Sequence, residues 1–138
     1  MSVEEAIADR LAANAGVAAL VGTRVWQLKL PQRPVLPAVK VQLVDEPTEN
    51  HLRGAEDTTF ARVQVDCYGA ETGVADPYGA VSAVAAAVNA ALCGTSPVTI
   101  GDRRIQSVTR VLRRAMFEAA ELRLVRITQD FEVVSETV

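Results

Sequence analysis

The sequence predicts an α+β fold: a small, mixed and mainly antiparallel sheet with an N-terminal helix and one long Ala-rich helix packed on it. Three observations carry that expectation. Apolar and polar residues alternate at period two in several runs, such as Val39, Val41 and Leu43 against Lys40 and Gln42. In two other stretches the apolar residues recur at helical spacing instead. A composition of 49% apolar but only 4% aromatic residues then calls for a core of Val, Leu, Ile and Ala, which suits short strands under helices. The 138 residues fit a single domain, 1–138, which at that size buries about 68% of the surface its unfolded chain exposes.

Ser2-Val3-Glu4-Glu5 is a capping-box pattern, and Val3, Ala6, Ile7 and Leu11 continue it as one helical face to about Ala13. Gly16 and Gly22 bracket Val17 to Val21, a run too short for a stable helix by itself, so it is expected to turn the chain onto the sheet. Arg24 to Leu28 is a short first strand, with Trp26 packed beside the core. Pro31, Pro34 and Pro37 exclude a paired central strand, which makes Leu30 to Pro37 an extended connection or edge. Two alternating strands follow, from Ala38 and from Ala61 to Cys67, and they are expected to pair antiparallel. Between them lies a long charged loop, Pro47 to Thr58, either a mobile tip or an arm ordered against another chain.

Asp76-Pro77 starts the main helix, since Asp accepts from free backbone N–H groups and Pro fits the first helical position. Val81, Val84, Val88 and Leu92 form its apolar stripe, and Gly94 is placed to end it. Val98 to Ile100 and Arg104 to Leu112 are strands joined by a tight turn at Gly101-Asp102. Ala115 to Glu121 carries helix formers between strand-like runs and fits either a longer turn or a helical bridge. The last run, Leu122 to Val134, alternates Val125, Ile127, Phe131 and Val133 against Arg126, Thr128, Asp130 and Glu132.

The chemistry expected of these residues is slight. A formal charge of −3 gives no global attraction to nucleic acid or to an anionic membrane. No secretory leader or membrane-length apolar run is read in the chain, and Cys67 and Cys93 read as small buried hydrophobes, all of which fits a reducing cytoplasm. His51 is the only histidine and lies in the charged loop, which leaves a nucleophilic triad unsupported. Cys and His show no metal-ligand spacing, and the glycines form no phosphate-binding loop. No catalytic residue, metal or cofactor is therefore expected.

Charge distribution is the uneven feature. Arg103, Arg104, Arg110, Arg113, Arg114, Arg123 and Arg126 crowd the C-terminal third, while Asp45, Glu46, Glu49, Glu56 and Asp57 gather around the loop. Solvated strand faces account for both clusters; the functional alternative has the basic face of one subunit meeting the acidic arm of the next, a partner ring or DNA. The candidate interface residues are Glu49, His51, Arg53, Glu56 and Asp57 in the loop and Arg103, Arg104, Arg110, Arg113 and Arg114 opposite. Arg rather than Lys predominates there, and planar guanidinium suits persistent bidentate contacts.

The order of these segments resembles the phage tail-completion, or tail-terminator, family. The echoes are VAALVGTRVW at Val17 to Trp26, LPQRPVLPAVKVQ at Leu30 to Gln42 and ARVQVDCYG at Ala61 to Gly69. DPYGAVSAVAAAVNAAL in the main helix and LVRITQDFEV at Leu124 to Val133 complete the series, which covers nearly the whole chain. Two departures, a long loop at Ala70 to Ala75 and the Ala115 to Glu121 linker, bear on subunit contacts. The resemblance implies a non-enzymatic virion subunit that assembles in the host cytoplasm into a ring, commonly a homohexamer, at the head-proximal end of the tail. Implied partners are further copies of itself, the major tail tube protein and the head connector or neck protein, with DNA passing through the lumen and no membrane contact.

Overall fold

The capping box forms as the sequence requires. Ser2 Oγ accepts from the Glu5 N–H at 3.2 Å, and the Glu5 carboxylate accepts from the Ser2 N–H at 2.8 Å. Helix α1 (Val3–Ala13) buries Val3, Ala6, Ile7 and Leu11. The computed structural model describes residues 1–47, 50–51, 54–55, 58–93, 97–118 and 124–138.

The run expected only to turn the chain is a seven-residue helix, α2 (Ala15–Val21). Two local devices and one tertiary contact explain the difference. Asn14 Oδ1 accepts from the Val17 N–H at 3.1 Å, Gly22 closes the other end at φ 59, and the buried Val17 and Val21 join the core. Strands β1 (Val25–Gln27) and β2 (Ala38–Asp45) follow, joined by the Pro-rich connection. Trp26, expected to pack, is 40% exposed on β1, because a three-residue edge strand offers it too little neighbouring surface.

Within the charged loop, β3 (Asn50–His51) and β4 (Gly54–Ala55) form a two-stranded ribbon, and β5 (Thr58–Ala70) returns to the main sheet. Asp76 caps α3 (Pro77–Leu92), accepting from the Gly79 N–H at 3.1 Å with Pro77 in the first turn. Cys93 is the C-cap, and Gly94 lies outside the described residues. The hairpin of β6 (Val98–Ile100) and β7 (Arg103–Glu118) turns at Gly101, φ 60, and β8 (Leu124–Thr137) completes the fold. Of the ambiguous linker, Ala115 to Glu118 is neither turn nor helix but the end of β7, because pairing with Leu124 to Ile127 overrides local helix propensity. Residues 119–121 lie outside the described part.

The six-stranded, curled sheet has the order β1-β2-β5-β8-β7-β6, with β1 and β2 parallel and every other pair antiparallel. Strand pairing fixes the faces, since residues directly opposite one another share a side. Ala61, Val63, Val65 and Cys67 of β5 stand beside Val133, Phe131, Gln129 and Ile127 of β8, all buried on the helix-covered face. Gly69 lets α3 approach there, for a Cβ at that position would collide with Val81 Cγ2. Arg10 Nε donates to the Ala91 carbonyl at 3.1 Å, tying α1 to the negative end of α3.

Candidate subunit interface

Among the described residues, the opposite face of the sheet carries no helix, and its polar residues bond mainly to one another. Asp66, 0% exposed, accepts from Thr128 Oγ1 at 2.6 Å and from Gln64 Nε2 at 3.1 Å, with Lys40 Nζ at 3.3 Å. Lys40 also sits 5.7 Å over the Tyr68 ring. Burial by itself would push the lysine's pKa down, but Tyr68 and Asp66 hold it above the ordinary value. Arg62 is engaged in the same manner, its Nε and Nη2 donating to Asp130 Oδ2 at 3.0 and 2.9 Å. These groups neutralise and position one another and leave no nucleophile poised beside a base.

Two β-bulges shape the end of this face, one between Leu43 and Asp45 on β2 and one between Arg110 and Leu112 on β7. Between them opens a cleft of about 290 Å³ lined by Asp45, Pro47, Phe60, Ala61, Arg62, Val111 and Glu132. Burial pushes the Cys67 thiol up to about 12, with nearby Asp66 acting in the same sense, so it is no nucleophile near neutrality. Among the described residues, no group of three or more His, Cys, Asp or Glu side chains is placed to hold a metal, and no helix is long and apolar enough to cross a membrane.

The structure brings the five candidate arginines onto one strand, β7, but divides them between its faces. Arg110 stands opposite Phe131 and Arg113 opposite Gln129, on the helix side; Arg104 and Arg114 stand opposite Glu136 and Thr128, on the other. Three are partly engaged within the chain. Arg103 donates to the Met1 carbonyl at 3.2 Å and to Ser135 Oγ at 3.0 Å, Arg110 to Gln129 Oε1 at 3.0 Å, and Arg113 to Ser82 Oγ at 3.3 Å. Arg104 and Arg114 are exposed. Arg126 stacks 5.9 Å from the Tyr68 ring, and Arg123 lies outside the described residues. Of the loop candidates, His51 falls in β3, whereas Glu49, Arg53, Glu56 and Asp57 lie outside the described residues.

Sequence reasoning missed the edge on which these arginines sit. β6 pairs with β7 only from Arg103 to Ile105, and among the described residues no strand pairs with its outer edge from Ser107 to Ala115. Every residue from Thr109 to Ala115 is exposed, including Val111 and Leu112. The inward Gln129, which donates to the Ala85 carbonyl at 3.0 Å while accepting from Arg110, was also missed, although its period-two position between Ile127 and Phe131 marks it.

A chain from the virion of a native gene transfer agent particle matches at a TM-score of 0.70 and 25% identity, over 98% of this chain and 95% of that one. No curated protein sequence matches. The family model for tail completion protein gp17 matches residues 5–136, essentially the whole of the sheet and its helices, and the chain therefore belongs to the tail completion protein gp17 family of structural, non-enzymatic virion proteins of the phage tail.

Proposed function

We propose that the protein is a tail terminator: copies assemble into a ring, a hexamer, at the head-proximal end of the tail tube, stop tube growth and offer the surface to which the head connector docks. The observation that carries this reading is the open edge of β7. A long, exposed strand edge recruits other strands unless something covers it. A closed ring covers it in every copy, whereas an open array would leave one edge bare.

The side chains along that edge favour a head-to-tail contact. If two β7 edges met each other, Arg110, Arg113 and Arg114 of both copies would be brought together, and like charges across a strand pair are unfavourable. An acidic partner suits the edge better. The segment from residue 45 to 58 carries Asp45, Glu46, Glu49, Glu56 and Asp57 against Arg53 alone, so we assign Glu49, His51, Arg53, Glu56 and Asp57 to the contact with the neighbouring subunit's Arg104, Arg110, Arg113 and Arg114. The remaining contacts, to tube and connector, would use the two rims of the ring, with DNA passing through its lumen.

Purified protein added to polymerising tail tubes tests the function. The reading predicts tubes capped at one end and shortened in proportion to the protein added. Binding to filled heads with no effect on tube length would make the chain a neck adaptor instead.

A further inference from the structure

We propose that the connection after β1 is a plug, with Leu28 as its anchor, that seats in the bulge-flanked cleft of a second copy of this chain. This contact rests on the ring reading above and deepens it. Leu28 is 72% exposed and holds φ 67, a left-handed conformation that an L-residue with a large side chain adopts only at a cost. Its N–H donates to the Val41 carbonyl at 2.8 Å, which fixes the backbone so that the leucine is displayed rather than packed. Strain retained at an exposed apolar residue gives the isolated fold nothing, and it is the kind of outlier found where a side chain is held ready for a partner.

The cleft has complementary chemistry. Its apolar surface includes Phe60 and Val111, 44% and 47% exposed, and Val111 is the residue of the bulge on β7. The carboxylates Asp45 and Glu132 also line it, both exposed and, among the described residues, without an ion-pair partner, Arg62 being turned to Asp130. Beside Leu28 the plug carries two exposed cations, Lys29 and Arg33, likewise without ion-pair partners among the described residues. Apolar anchor meets apolar floor, and cations meet carboxylates. The cleft volume, about 290 Å³, lies at the lower end of the range of about 300–1,000 Å³ usual for ligand pockets and accommodates a few side chains. Plug and cleft are different surfaces, so the contact is heterologous and propagates around a ring.

Sedimentation of the full chain tests the contact, with circular dichroism to follow the fold. Leu28→Gly removes the anchor and also relieves the strain, so the thermal midpoint should hold or rise while the subunit dissociation constant rises about tenfold or more. Reversing the plug charges, Lys29→Glu with Arg33→Glu, should weaken assembly, and adding Asp45→Lys with Glu132→Lys in the same chain should restore it. Rings of Leu28→Gly and of the charge-reversed chain that persist at wild-type concentrations would overturn the plug and leave the ring standing. Rings that persist but no longer cap tubes would place Leu28 against another virion protein and overturn it too. A wild-type chain that never assembles would instead remove the ring reading on which the contact rests.

Discussion

Replacing Asp66 with alanine should destabilise the protein by about 3–5 kcal/mol, the range for removing one partner of a buried ion pair. The carboxylate is wholly buried and receives Thr128 Oγ1 at 2.6 Å, Gln64 Nε2 at 3.1 Å and Lys40 Nζ at 3.3 Å. Without it, an ammonium whose side chain is only 16% exposed loses its counter-ion, and two further donors lose their acceptor. For 138 residues the unfolding entropy is about 0.29 kcal/mol/K, so the loss corresponds to a fall in Tm of about 10–17 °C by calorimetry. In a double-mutant cycle with Lys40→Met the coupling should be about 0.5–3 kcal/mol. A fall of less than about 3 °C, or no coupling, would refute the view that this face is held together by its own polar groups.

Gly69→Ala should cost about 1–3 kcal/mol by chemical denaturation through collision with Val81 Cγ2, and Val81→Ala in the same chain should recover part of it; full stability of the single variant would contradict the close approach of α3. Cys67 has its folded pKa raised from 9.0 to about 12, so the native state keeps a proton that the unfolded state releases. Stability should be intact below about pH 9 and fall above it by up to about 1.4 kcal/mol per pH unit; the fall should shrink in Cys67→Ala, and a thiol reagent at neutral pH should label the half-buried Cys93 first. Gln129→Leu, which keeps the volume but frees Arg110, should change stability by no more than about 1.5 kcal/mol, whereas Gln129→Ala should cost about 2–5 kcal/mol. Equal effects of the two would show that the amide bonds, not the filled space, matter at that position.

Both long helices were legible at their starts, because Ser2 with Glu5 and Asp76 with Pro77 are local devices that need no tertiary context. The pairing of β2 with β5 was legible for a similar reason, since both strands alternate in register with one buried face. What escaped was non-local. Arg110 and Arg114 are four residues apart and strict alternation would put them on one face, but the bulge between Arg110 and Leu112 turns them to opposite faces. The bulge between Ile105 and Ser107 separates Arg104 from Arg110 in the same way. A bulge adds one residue without a composition signal, so the basic cluster could be read while its division could not. The cleft, made by one bulge on each of two non-adjacent strands, was invisible for that reason.

The fold explains why a chain with little chemistry has so much unused surface. Its helices cover one face of the sheet, its polar residues stabilise the other, and among the described residues the outer edge of the longest strand, β7, has no strand partner beyond Ile105.

Native mass spectrometry of the purified chain over a range of concentrations tests the central claim most directly. Self-closing assembly predicts one dominant discrete species, six copies of the 14.7 kDa chain or about 88 kDa, with no continuous ladder above it. A population that stays at 14.7 kDa at every concentration, or that grows without limit, would contradict it.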